Sequence, residues 1–354
     1  MDIFLIRNNE HCYIIPKRIN AGPILVVQEL VKQMILHGHS CIVFYFDEGQ
    51  EINFLCSTKK ISFSQRIDFN SYDIIHTHGL RPDLYIFLHK PINCKAKCIT
   101  TLHNYVIPDF SYQYNKFIAY TIGNLWMICL TRHNKIVTLS KDAMQYYKKR
   151  FSTKKLTYAY NTRSISLSSS IAEEEKKEIL DFKGDSILIG VNAALTDRKG
   201  VDQIIKALKK LPNYKLIIIG EGKSKLTLEQ LCIDENVSKQ VLFLGYKKDA
   251  YRFLPYYDLF ALPSRSEGFG LTLIESAIYK KNVICSKIPI FQELCPNKEV
   301  VFFELENIHS LEQAIQKATN DNTLGEKLYK QYLKEFSPDK FYIKYYSIYN
   351  SLLQ

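Results

Sequence analysis

Short apolar runs rich in β-branched residues alternate along this chain with amphipathic stretches of helical length. In the first half, Asp2–Ile6, Ser40–Phe46, Tyr72–His76, Lys97–Leu102, Lys135–Leu139 and Lys155–Tyr160 read as strands. Between the first two, Pro23–His37 carries Leu25, Val26, Leu30, Met34 and Ile35 on one helical face. The second half repeats the pattern, with strands expected at Ser186–Val191, Lys215–Gly220, Gln240–Gly245, Asp258–Leu262 and Asn282–Cys285. Helices are expected there at Val201–Leu211, Leu226–Asn236, Leu271–Lys280 and Ser310–Thr319. Such alternation implies parallel sheets with helices on both faces. The fold class is therefore α/β, with two Rossmann-like, doubly wound domains facing across a cleft. Ligands of such sheets bind at the carboxyl ends of the strands.

At 354 residues the chain is too long for one ordinary domain and suits two. The divisions expected are a Rossmann-like domain at 1–163, a second Rossmann-like domain at 164–337, and a terminal helix at 338–354 returning towards the first domain. The linker is placed at Asn161–Asp185, Ser-rich and then charged. No run of 18 apolar residues exists, and Phe117–Leu130, interrupted by Asn124, reads as a buried helix and not a membrane anchor. Met1–Arg7 lacks a basic leader and a cleavage site, so it reads as the first strand of a cytoplasmic protein. The nine cysteines are scattered, and Cys94 and Cys98 have no second pair to complete a zinc site, so reduced thiols and no bound metal are expected. The net charge of +11 fits nucleic acid, an anionic membrane surface or an acidic substrate. No nucleic-acid-binding signature accompanies it, so no nucleic-acid partner is expected.

The sharpest motif is Pro263-Ser264-Arg265-Ser266-Glu267-Gly268-Phe269-Gly270-Leu271-Thr272-Leu273-Ile274-Glu275, which follows the apolar strand Asp258–Leu262. A Gly-containing turn opens a helix whose first N–H groups favour an anion. Glu267 stands before that helix and Glu275 inside it, where a carboxylate can accept hydrogen bonds from a sugar diol. A second motif, Asn192 to Gly200, follows strand Ser186–Val191 and brings Arg198 and Lys199 to a strand tip. Cations there suit a phosphate-bearing ligand. In the first half, Asn20-Ala21-Gly22-Pro23 joins a strand to a helix, His76-Thr77-His78-Gly79 ends one strand and His103-Asn104 ends the next.

These motifs closely resemble the retaining GT-B glycosyltransferases of family 4, whose signature is a pair of glutamates eight residues apart. The resemblance covers most of the chain and is best from Gly190 to Glu293. It implies that Glu267 lies by the donor sugar and Glu275 binds the ribose, with Gly268, Phe269, Gly270 and Leu271 along the sugar and diphosphate. It likewise implies diphosphate contacts from Lys199, Arg198 and Gly22, and a base-side segment at Phe243–Lys247 that brings in Lys247. His103 matches the histidine held near the donor sugar, and His78 is assigned to the acceptor. Glu267, His103 and Lys199 are thus the expected catalytic residues. The partners implied are a UDP- or GDP-sugar and a glycan or lipid-linked acceptor of bacterial surface polysaccharide, with peripheral contact to an anionic membrane and no cofactor. One departure stands out: the family's Arg slot after the strand holds Ala193 or Ala194. Two alternatives follow, a catalytically impaired nucleotide-sugar-binding protein and a nucleotide-sugar epimerase on the same fold.

Overall fold

The computed structural model describes residues 9–49, 52–112 and 114–354, so the strand expected at Asp2–Ile6 lies outside the described residues. Two compact units are present, one running to Ser164 and resuming at Phe336–Gln354, the other Ile165–Glu335.

The first unit holds a parallel seven-stranded sheet in the order β3-β2-β1-β4-β5-β6-β7. Its strands are β1 (Glu10–Lys17), β2 (Ser40–Asp47), β3 (Ser57–Lys60), β4 (Ile74–His78), β5 (Lys97–Leu102), β6 (Lys135–Thr138) and β7 (Leu156–Tyr158). Cys12 to Ile15 of β1 are fully buried, as a central parallel strand covered on both faces must be. β3 is short and polar, which suits a sheet edge. The helices are α1 (Gly22–Leu36), α2 (Leu80–His89), α3 (Val106–Ser111), α4 (Lys116–Cys129) and α5 (Lys141–Tyr147). Asn115 and Ser140 accept N–H bonds from the first turns of α4 and α5, fixing where each begins.

The second unit holds a parallel six-stranded sheet in the order β10-β9-β8-β11-β12-β13. Its strands are β8 (Ile187–Asn192), β9 (Tyr214–Ile219), β10 (Val241–Gly245), β11 (Leu259–Leu262), β12 (Val283–Ser286) and β13 (Val301–Phe303). The helices are α6 (Glu173–Lys183), α7 (Val201–Leu208), α8 (Lys225–Asp234), α9 (Leu271–Ile278), α10 (Pro289–Leu294), α11 (Ile308–Asn320) and α12 (Leu324–Gln331). The charged half of the expected linker is in fact α6. Glu173–Glu175 stand at its positive end and Lys183 at its negative end, and Ile179 is its buried residue.

The last helix, α13 (Pro338–Leu353), belongs to the first unit. Its tyrosines recur on one face: Tyr345 reaches Thr101 of β5 at 3.2 Å, Tyr349 reaches His76 of β4 at 2.6 Å, and Tyr342 reaches His39, just before β2, at 3.2 Å. Among the described residues no helix is long and apolar enough to cross a membrane. Phe117–Leu130, expected to be buried, is buried on one face only. Ala119, Gly123, Trp126 and Met127 point inward, while Phe117 is 80% and Tyr120 60% exposed.

Candidate functional site

Strand order in the second sheet reverses between β8 and β11, which opens a crevice outside their carboxyl ends. The two motifs read from the sequence flank this switch point. Residues 193–200 follow β8 and lead into α7, and residues 263–270 follow β11 and lead into α9.

Backbone chemistry stitches the two loops together. Arg265 N–H donates to the Arg198 carbonyl at 2.8 Å, and Gln203 Nε2 donates to the Pro263 carbonyl at 2.9 Å. Gly200 sits at φ +63°, where a Cβ would stand 2.1 Å from the Pro263 oxygen, so only glycine lets the loops close. Gly270, at φ +90°, is the corresponding turn before α9.

Side chains complete the site. Glu267 is buried and accepts a charged hydrogen bond from Lys199 Nζ, with Arg198 Nη1 at 3.7 Å and Ser264 Oγ donating at 2.9 Å. Burial alone would push the Glu267 carboxyl up, but Lys199 and then Arg198 outweigh it and hold the carboxyl below its ordinary value. Arg198 also donates to the Ser266 carbonyl at 2.8 Å, so it turns towards the motif and not into solvent. Of Ala193 and Ala194, either of which fills the slot where a family Arg is expected, Ala193 is half-buried and Ala194 exposed. Glu275 is buried on α9, with Phe269 buried before it. Lys247 follows the edge strand β10, two strands from β8, and its ammonium is committed to Glu175 at 2.7 Å.

Sequence reasoning passed over two supporting residues. Ser264 lies within the motif and was legible as a hydroxyl three residues before Glu267. Arg265 binds Asp202 through both terminal nitrogens at 2.9 Å and pairs with Glu306, roles that only the fold brings together.

In the first sheet the order reverses between β1 and β4. Gly22 opens α1 after β1, and His78 closes β4. His103 follows β5, and its Nε2 shares a hydrogen bond with His78 Nδ1 at 2.9 Å. His78 is 1% exposed, and His103 is the more accessible ring of the two. His76, its neighbour on the same strand face, is committed to Tyr349 and to Thr101, the latter at 2.8 Å, and so serves the packing of α13. Burial pushes His76 and His78 well below the usual histidine range, and His103 down to about 4. Beneath them, buried Asp83 collects Thr77, Thr100 and the Trp126 indole.

Two doubly wound units, one with basic side chains and a buried glutamate at the switch point before a helix, define a nucleotide-sugar transferase of the GT-B class. The chain belongs to the family 4 glycosyltransferases: the Glycosyltransferase Family 4 model matches residues 24–163 and the Glycosyl transferases group 1 model residues 172–335. It is 33% identical to the O-antigen biosynthesis glycosyltransferase WclY of Escherichia coli over 97% of this chain and 98% of that one. It is 23% identical to the N-acetyl-alpha-D-glucosaminyl L-malate synthase of Bacillus anthracis over 84% of this chain and 79% of that one. Among solved structures, Anabaena HepE in complex with UDP and glucose superposes with a TM-score of 0.81 at 15% identity, covering 97% of this chain and all of that one. WaaG, a glycosyltransferase involved in lipopolysaccharide biosynthesis, gives a TM-score of 0.69 at 13% identity over 96% of this chain and 99% of that one.

Proposed function

We propose that this glycosyltransferase moves a sugar, with retention at the anomeric carbon, from a UDP- or GDP-sugar to a glycan carried on a lipid, at the inner face of the plasma membrane, in the assembly of a bacterial surface polysaccharide such as O-antigen. The observation that carries the donor reading is the cluster of Lys199 and Arg198 on buried Glu267 at the switch point of the second sheet. The likeness to WclY over nearly the whole chain supports the acceptor class.

In this reading Glu275 binds the ribose, and Gly268, Phe269, Gly270 and Leu271 lie along the donor. Lys199, Arg198 and the first N–H groups of α9 receive the diphosphate, with Gly22 of the first unit approaching it through backbone. Before donor arrives, Glu267 holds both cations in place. As the glycosidic bond breaks, the growing charge on the diphosphate draws on those cations, and the leaving phosphate oxygen helps take the acceptor hydroxyl proton on the same face of the sugar. His103 orients a donor hydroxyl or phosphate oxygen, and His78 acts on the acceptor side through His103. Lys247 contributes on the base side, beside the backbone that follows β10.

The test begins with a thermal-shift screen of nucleotide sugars, then lipid-linked acceptors. Glu275→Ala should weaken the selected donor by about 1.5–3 kcal/mol, the worth of a hydrogen bond to a charged group, with the melting temperature little changed. Unchanged donor affinity in calorimetry removes the ribose assignment.

A further inference from the structure

Cys94 and Cys98 form a thiol pair at the amino end of β5. Cys94 is half-buried on the turn that leads into the strand, behind exposed Pro91, Ile92 and Asn93. Cys98 is buried within the strand, opposite Ile75 of β4. Each sulfur is the other's hydrogen-bond partner. The turn is pinned against the strand, since the Lys95 N–H donates to Asn70 Oδ1 at 3.0 Å and Cys94 Sγ lies 3.6 Å from the Ala96 oxygen.

Two cations frame the pair. Lys90 Nζ and the Cys98 N–H both donate to Asn134 Oδ1, at 3.0 and 2.9 Å, which sets the ammonium at the foot of β5 beside the thiols. Arg132 is held there by the carbonyls of Phe87 and Lys90. The hydrogen bond from Cys98, then the charges of Lys90 and Arg132, outweigh partial burial and hold the Cys94 thiol well below its ordinary value. The same bond, with burial, pushes the Cys98 thiol up. The other two half-buried cysteines behave oppositely to Cys94: burial raises Cys41 to about 12 and Cys56 to about 11. A reachable thiolate beside a buried thiol is the arrangement of a peroxide-reactive cysteine and its resolving partner.

We propose that Cys94 and Cys98 are a thiol–disulfide site whose substrate is a peroxide, with Cys94 as the attacking thiolate and Cys98 as the resolving thiol. The Cys94 sulfur attacks one oxygen of hydrogen peroxide. The O–O bond breaks, an S–O bond forms, and the departing hydroxide leaves as water with the proton that Cys94 had released. The Cys98 sulfur then attacks the Cys94 sulfur. The S–O bond breaks, the S–S bond forms, and the Cys98 proton leaves with the hydroxide as a second water. The two thiols are oxidised by two electrons, and one peroxide is reduced to two waters. An S–S bond of about 2.05 Å draws Cys94 closer to the strand, a shift the exposed turn at 91–93 accommodates. A small dithiol resets the pair by exchange. The site stands at the amino end of β5, whereas His103 follows the carboxyl end, so oxidation leaves the candidate sugar site in place.

The test uses the full chain, reduced and then treated with a small excess of hydrogen peroxide. Trypsin cuts after Lys95 and Lys97, between the two cysteines, so the disulfide should hold two tryptic peptides together in the mass spectrum until dithiothreitol is added. In denaturant the oxidised chain should carry two fewer free thiols than the nine of the reduced chain. In the native reduced chain at neutral pH, Cys94 should react with iodoacetamide at least about tenfold faster than Cys41 or Cys56. Cys98→Ala should slow that reaction and, under peroxide, leave a Cys94 sulfenic acid that dimedone traps. Cys94→Ser should leave Cys98 reduced. Both variants should keep the parent melting temperature, which separates loss of the disulfide from loss of the fold. If either unfolds, the linked peptides and alkylation rates of the parent chain decide alone. The proposal is overturned if Cys94 alkylates no faster than Cys41 and Cys56, if peroxide links other cysteines while this pair stays reduced, or if it carries Cys94 to sulfinic acid with Cys98 still a thiol.

Discussion

Half-buried Lys199 and buried Glu267 form an ion pair that joins the loop after β8 to the loop after β11, with Ser264 donating to the same carboxylate. A carboxylate this deep needs its cation, so the pair organises the site before any ligand binds. Lys199→Ala should lower kcat at least about tenfold with a smaller change in the donor KM, because leaving-group charge is greater in the transition state. Arg198→Ala should act similarly, since Arg198 is the second cation on Glu267. Steady-state kinetics with the donor found by screening decides this. A neutral Arg198→Ala together with a gain from Ala194→Arg would show that Arg198 does not replace the absent family arginine.

Gly200→Ala should be costly far beyond its size. The left-handed backbone alone disfavours alanine by about 1–2 kcal/mol, and the new methyl group meets the Pro263 carbonyl, which cannot move without shifting the Glu267 loop. We expect a melting temperature lower by several degrees and loss of donor binding. An unchanged melting temperature with normal donor affinity would mean that the loops are not coupled through this contact.

The loop that carries the candidate donor residues was legible in sequence because it is local. Glu267, Gly270 and Glu275 lie on one strand-turn-helix segment, and spacing alone orders them. What sequence could not supply was the partner of each charge. That Arg198 turns to Ser266 and Glu267 depends on two strands distant in sequence becoming neighbours. The missed strands have physical causes. β1 carries the polar-tipped rings of His11 and Tyr13, which break an apolar pattern yet pack beside Tyr349 of α13. β3 is polar because it is an edge, and β13 is only three residues long. The outer face of α4 misled in the opposite direction, since apolar periodicity reports affinity for a nonpolar surface without saying whether protein or lipid provides it.

In the proposed reading, His78 bears on chemistry through its hydrogen bond to His103, as a positioning residue. His78→Phe removes the ring-to-ring hydrogen bond and should lower kcat about tenfold through misplacement of the His103 ring, with donor KM little altered. His78→Gln keeps a polar partner at similar reach and should restore much of the loss. Equal damage in both variants, or damage to KM alone, would assign His78 to packing.

Acid should weaken the first unit before it touches the second. His11, His76, His78 and His103 are held neutral by burial, with His103 lowered from 6.5 to about 4 and His11 to about 3. In the unfolded chain these rings take up protons near 6.5, so as pH falls below that value the unfolded state binds more protons than the folded one and stability drops. Each such ring contributes a slope of about 1.4 kcal/mol per pH unit until its folded form also titrates. The lowered carboxyls Glu267 and Asp202 act elsewhere, since their contribution is fully present above the ordinary 4.5 and 3.8 and is lost only below. The interval from about 6.5 to about 4.5 therefore belongs to the histidines. Trp126, the only tryptophan, lies in the first unit, so urea unfolding followed by its fluorescence reads this unit directly. The midpoint should fall steadily across the interval. His11→Phe removes one titrating ring whose nitrogens have no hydrogen-bond partner among the described residues, so it should reduce the slope by one histidine without lowering stability at neutral pH. A midpoint independent of pH over this interval would show that the rings are charged or solvated in the folded state.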